Sequence, residues 1–179
     1  MTLFLLVLPA LAIDVLFVGN SYTNSNDLPG KLSAVFAAAE AEFTTSKLTA
    51  GGLNLADHAA RAADPETAWH TKLVTEADSR EWVVLQDQSQ VPGFPETEAM
   101  WIASRDGAVS LNNLVETAGA ETLYFLTWGR LAGDPMNDWI YPDFPTMQAE
   151  LTEGYLAYAF ATTTDDRPVW IAPVGPAFA

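Results

Sequence analysis

The stretch IDVLFVGNSYT, residues 13–23, passes from an almost unbroken apolar run into a polar turn. Apolar and β-branched residues over 13–18 predict a strand buried on both faces. Gly19 permits a sharp exit from that strand, and Asn20 tolerates unusual backbone angles. Ser21 then stands one turn beyond the strand, at the top of its sheet, among backbone N–H groups. Taken alone, such a turn is ordinary, because hydroxyls in polar loops often do no more than satisfy backbone groups.

The chain downstream repeats the strand-then-helix alternation. A helix is expected over 28–43, with Leu32, Val35, Phe36 and Ala39 on one face, and a short strand over 46–50. Gly51-Gly52 breaks the chain, and Asn54 caps the next helix. Asp64-Pro65 is expected to open a further helix through 77. A third strand is read over 81–86, a helix over 96–118 closed by Gly119, and a fourth strand over 122–128. After the loop 129–145 come a helix over 146–162 and a fifth strand over 168–174. This order predicts an α/β domain: a three-layer α/β/α sandwich on a flavodoxin-like parallel sheet of five strands, order 2-1-3-4-5. Ligands of such sheets bind beyond the carboxyl ends of the strands. The loops gathered there are 19–27, 51–54, 86–95 and 129–145.

Composition narrows the partners. A chain of 179 residues, 49% hydrophobic, suits one ordered domain. With 23 acidic and 8 basic residues the formal charge is -15. That field repels nucleic acid and anionic membrane, so neither is an expected partner. A neutral ester or sugar suits it better. Cysteine is absent, which excludes disulfides, thiolate metal sites and a cysteine nucleophile. No acidic or histidine cluster has metal-ligand spacing, and neither a P-loop nor a dinucleotide fingerprint occurs, so no metal or cofactor is expected. Residues 1–12, MTLFLLVLPALA, end in an Ala-x-Ala pattern and read as a short export signal before a domain over 13–179. Exported, the protein is periplasmic or extracellular. A first strand that simply begins early is the other reading.

Three places can carry chemistry. Ser21 offers a hydroxyl, and its own N–H can hold a developing oxyanion. Gly51-Gly52 lets backbone approach a ligand and can supply a second donor. Gln86 and Gln88 lie two apart at the end of the third strand, so either amide can point at Ser21, while Asp87 is expected to point away.

These segments resemble the SGNH (GDSL-like) hydrolases. FVGNSYT is similar to the first block of that family, TAGGLNL to the second and VVLQDQS to the third. The closer likeness is to a branch with GNS-F/Y-T, GG-x-x-L-x-x-H, LQ-x-QSQ and TWGR segments. This chain has GNSYT, GGLNLADH, LQDQSQ and TWGR, and the resemblance spans about residues 15–174. It implies a serine esterase with Ser21 as nucleophile, Gly52 as oxyanion glycine and Gln88 where many members carry asparagine. The implied substrate is a small acyl or acetyl ester, with carbohydrate esters among the candidates.

The family's last block, Asp-x-x-His, supplies the general base and the residue that orients it. No such motif occurs, and the sequence reads PVGPAFA just past the fifth strand. The expectation is a truncated reading of a longer protein, inactive or nearly so as it stands. The only histidines are His58 and His70. His58 is a candidate substitute base, although a structural histidine is the stronger expectation; His70 reads as a surface residue.

Two other functions share this scaffold. In a flavodoxin-like flavin-binding module, Ser21, Thr23 and Ser25 would cradle a phosphate and Trp128 and Trp139 would flank the ring. That reading leaves Gly51-Gly52 and Gln88 idle. A non-catalytic carbohydrate-binding protein is the third possibility. In the loop 129–145, which holds three prolines and two glycines, Trp139, Tyr141 and Phe144 are expected either to shape the substrate pocket or to anchor the loop on its helix.

Overall fold

The computed structural model describes residues 13–77 and 80–178; residues 1–12, and with them the expected export signal, lie outside the described residues. Strands β1 (Ile13–Gly19), β2 (Phe43–Thr49), β3 (Trp82–Leu85), β4 (Glu121–Phe125) and β5 (Trp170–Ala172) form one parallel sheet in the order β2-β1-β3-β4-β5. The helices are α1 (Ser21–Asn24), α2 (Leu28–Ala38), α3 (Leu55–Ala63), α4 (Ala68–His70), α5 (Ala99–Thr117) and α6 (Phe144–Thr162). A π-helical turn, Thr71–Thr75, prolongs α4. The expected sheet and strand order are those observed.

Alternation along β1 divides the core. Leu16 and Val18 pack with Val83, Leu85 and Tyr124 under α3, α5 and α6, where Leu55, Leu111 and Tyr155 are fully buried. Each such leucine contributes roughly 1.5–3 kcal/mol through removal from water. Val15, Phe17, Val84 and Phe125 face the other way, toward α2. On that side the sheet is only partly covered. An open groove of about 560 Å³ runs over Phe17, Val84, Phe125, Trp170 and Val174, with Leu32 and Phe36 of α2 along it. Val35 of α2 is 65% exposed, so the expected apolar face of this helix is only half used.

Several boundaries moved for identifiable reasons. The expected first helix stops at Ala38, because Glu40 adopts φ 57° and β2 begins at Phe43. That start lets β2 pair with the whole of β1, from Ile13 opposite Phe43 to Gly19 opposite Thr49. Local helix propensity loses to strand pairing and to the Phe36–Phe43 stack at 4.1 Å. Asp64-Pro65 opens no helix; Thr67 caps α4 instead, its side chain accepting from the His70 N–H. Asn54 caps α3 as expected, in a reciprocal capping box with Asp57. Gly119 follows α5 at φ 74°.

Candidate active site

Ser21 is the first residue of α1, and Asn20 is its cap, accepting from the Tyr22 N–H at 3.0 Å. The polar loop read from the sequence is thus a short helix entered straight from β1. Asn20 does not use a left-handed backbone: its φ is -127°. Its value lies in the side chain, whose Nδ2 donates to the carbonyls of Leu53 at 3.0 Å and Asp87 at 3.2 Å. Gly19 is required by space, since a Cβ there would lie 2.6 Å from Gln86 Oε1. Ser21 itself is exposed. Among the described residues neither its hydroxyl nor its N–H has a bonded partner.

The glycine turn is tied on both sides to Gly19 and Asn20, the two residues before Ser21. The Ala50 N–H donates to the Gly19 carbonyl at 3.4 Å, and the Leu53 carbonyl receives Asn20. Between them Gly51 and Gly52 are exposed. Gly52 has φ +73°, a conformation that favours glycine, and nothing lies within 4 Å of where its Cβ would be.

Gln86 and Gln88 have different tasks. The strand ends at Leu85, so the two-residue alternation no longer governs them. Gln86 is fully buried beneath the turn. Its Oε1 accepts from the Asn20 N–H at 3.0 Å and from the Thr23 hydroxyl at 2.8 Å, and its Nε2 donates to the Asp87 carbonyl. Gln88 is only partly buried. Its Oε1 accepts from the N–H groups of Gln90 at 2.7 Å and Val91 at 3.3 Å. That fixes the side chain by its oxygen, and no acceptor takes its Nε2 among the described residues.

No family model matches the chain, and no curated protein matches it by sequence. Solved structures do match. A candidate SGNH hydrolase from Slackia heliotrinireducens superposes with a TM-score of 0.70 at 24% identity, over 93% of this chain and 82% of the other. A DUF4886 family protein from Bacteroides uniformis gives 0.71 at 15% identity, over 93% and 69%. The psychrotrophic esterase EstA from Pseudoalteromonas, inhibited by monoethylphosphonate, gives 0.57 at 12% identity, over 89% and 76%. The chain has the SGNH-hydrolase fold.

On this SGNH fold the histidines are both committed elsewhere. His58 is completely buried, and its Nδ1 accepts from Trp69 Nε1 at 2.8 Å. Its Nε2 faces the Gly19 carbonyl without a well-formed bond. Burial, helped by the Arg61 charge, lowers its pKa to about 4. It supports the floor of the turn as a neutral ring. His70 Nδ1 lies 2.8 Å from the Ala62 carbonyl, where α3 meets α4.

The aromatic residues of the SGNH-fold loops separate into anchors and walls. Tyr22, next to Ser21, stacks on Trp128 at 4.7 Å. Trp128 also lines a cleft of about 350 Å³ with Arg130, Leu131, Phe144 and Phe178. Trp139, 68% exposed, borders a different and smaller cleft with Phe94 and Ile140. The two tryptophans therefore line separate clefts, and Thr23 is buried in its bond to Gln86. Neither arrangement suits the flavin site considered above. Tyr141 is fully buried, stacked on Phe94, with its hydroxyl donating to the Gln90 carbonyl at 2.5 Å. Tyr141→Phe should cost about 1–3 kcal/mol by leaving that carbonyl unpaired. A lower urea midpoint with unchanged chemistry at Ser21 is expected; an unchanged midpoint would remove its anchoring role.

Asn20, Gln86 and Asp87 are the residues whose roles sequence reading missed. The signal available was Asn20 directly before a polar run, an N-cap signature. Nothing local marks which of three consecutive polar residues after β3 turns inward.

Proposed function

We propose that this chain carries the nucleophile and oxyanion half of a serine esterase acting on a small, neutral acyl or acetyl ester, with carbohydrate esters in range. The observation that carries the reading is a contrast. The Asn20, Thr23 and Gln86 side chains beneath the Ser21 turn are hydrogen-bonded, whereas among the described residues the hydroxyl and N–H of the exposed Ser21 have no partner. In the reaction Ser21 Oγ attacks the ester carbonyl carbon and its proton passes to a base. The N–H groups of Ser21 and Gly52 and the Gln88 Nε2 receive the oxyanion. The alcohol leaves, and water then releases the acid from the acyl-enzyme. The esterase EstA, which shares the fold, supports the class of reaction. A formal charge of -15 favours substrates without negative charge. Residues 1–12 act, in this reading, as an export signal.

Neither histidine is placed to take the serine proton, since His58 is buried against Trp69 and His70 lies on the Ala62 carbonyl, so this reading leaves the base to another group. Without it the hydroxyl is a weak nucleophile at neutral pH, and the chain alone turns over slowly if at all. The test is a fluorophosphonate probe with imidazole supplied as base, read by intact mass. One adduct on Ser21 is expected, and none on the folded Ser21→Ala variant. Equal labelling of the two proteins would remove Ser21 from the mechanism. Binding of a sugar with no labelling under any condition would favour the non-catalytic alternative.

A further inference from the structure

Asp87 is a fully buried residue whose carboxylate meets two segments of the site and both covering helices, and whose main-chain carbonyl meets a third segment. Its Oδ1 accepts from the N–H of Leu55, just past the glycine turn, at 2.9 Å, and from the N–H of Gln88 at 2.7 Å. Its Oδ2 accepts from the Ser104 hydroxyl of α5 at 2.7 Å and the Tyr158 hydroxyl of α6 at 3.0 Å. Its carbonyl receives the Asn20 and Gln86 side-chain amides, and its N–H donates to the Tyr155 hydroxyl at 3.1 Å. No cation bonds to it among the described residues. An uncompensated charge in such a place is costly. An asparagine could meet the same partners without charge: its oxygen would accept the two backbone N–H groups, and its amide would donate to the two hydroxyls. Stability therefore does not explain the aspartate.

We infer that Asp87 is the positioning residue of the site. Its carboxylate holds the start of α3 beyond the glycine turn and the Gln88 loop, and its main-chain carbonyl holds Asn20 of the Ser21 turn, so that its ionisation state sets how tightly the candidate oxyanion donors are held. The inference rests on the esterase reading only in naming those donors as the reacting groups. Ionised, Asp87 makes charge-assisted bonds to Leu55 and Gln88, which are stronger than neutral ones. Protonated, it holds both more weakly. Burial pushes its pKa up from 3.8 to about 6, against the opposing bonds from Ser104, Gln88, Leu55 and Tyr158. The titratable groups facing it are Tyr124 of β4 and Tyr155 and Tyr158 of α6, all held above the ordinary tyrosine range by burial and so neutral here. From α3 and α5 it meets a backbone N–H and the Ser104 hydroxyl.

The test follows the amide resonances of Ser21, Gly52, Leu55 and Gln88 in the full chain by ¹H–¹⁵N NMR across the acid range. All four should shift with one midpoint near 6, the value set by Asp87. In Asp87→Asn that midpoint should vanish from all four. In Ser104→Ala, which keeps the carboxylate and removes one donor, it should move to higher pH at all four. If Leu55 and Gln88 titrate while Ser21 and Gly52 stay still, Asp87 is only a structural residue and the inference falls. It falls equally if the common midpoint survives in Asp87→Asn. Failure of the probe to label Ser21 would sink the esterase reading and leave this titration untouched.

Discussion

Asp87→Asn is expected to melt at a higher temperature than the parent at pH 7, with the difference closing as pH falls toward 4. The folded-state pKa of Asp87, about 6, lies above the 3.8 of an unperturbed aspartate. The folded protein therefore binds this proton more tightly than the unfolded chain does. The resulting stabilisation is complete below about 3.8 and is lost as pH rises through about 6. A rise of that size corresponds to about 3 kcal/mol, or roughly 6–12 °C for a chain of this length. Asparagine resembles the protonated form at every pH and so escapes the loss. Asp87→Ala should behave oppositely. It removes the acceptor of the Gln88 N–H and the nearer acceptor of the Leu55 N–H, which keeps only the Ser104 hydroxyl at 3.3 Å, at about 1–3 kcal/mol for the bond lost, and empties the space between α5 and α6. Thermal denaturation of the three proteins at pH 4.5 and 7 decides the matter. A parent that is more stable than Asp87→Asn at pH 7 would show that the buried charge is compensated by something other than the bonds described.

Gln88→Glu should slow phosphonylation of Ser21 by about two to three orders of magnitude, the effect of losing one oxyanion donor. The substitution is chosen because the two atoms of the Gln88 amide do different things. Its Oε1 caps the N–H groups of Gln90 and Val91, and glutamate keeps that acceptor. Only the Nε2 donor is replaced, by an oxygen that repels an oxyanion. Folding should therefore be little changed. Gln86→Glu is the companion variant. Gln86 is completely buried and its Nε2 donates to the Asp87 carbonyl, so a carboxylate there is desolvated and faces a carbonyl. It should lower the urea midpoint strongly and disturb the turn as a whole. Probe labelling rates and urea midpoints, measured together, separate the two. A labelling rate unaffected by Gln88→Glu would take that amide out of the oxyanion site.

The sheet, its order and the places of Ser21, Gly52 and Gln88 at strand ends were legible in the sequence. Those features rest on local signals: apolar runs of strand length, glycine at sharp exits, and alternation of strand with helix, which leaves few topologies for a parallel sheet. The ends of elements were less legible. The alanine-rich segment after Leu28 reads as helix to 43, yet it gives way at Ala38 because β2 must start at Phe43 to meet Ile13. Propensity is local, whereas pairing depends on a partner thirty residues away.

What the tertiary structure alone decided is the division of labour among the polar residues. In LQDQS the three side chains after Leu85 look equivalent along the chain. Their directions are set by what reaches them: Asn20 and Thr23 for Gln86, Leu55, Ser104 and Tyr158 for Asp87, and Gln90 and Val91 for Gln88. The partners of Gln86 and Asp87 come from segments distant in sequence, and those of Gln88 from the fold of its own loop. His58 shows the same limit. Its place in GGLNLADH cannot distinguish a base from a brace; burial against Trp69 under Gly19 makes it a brace. A sequence specifies which groups are available for hydrogen bonding. Which of them are used up and which are left free for a substrate depends on contacts that exist only once the chain has closed on itself.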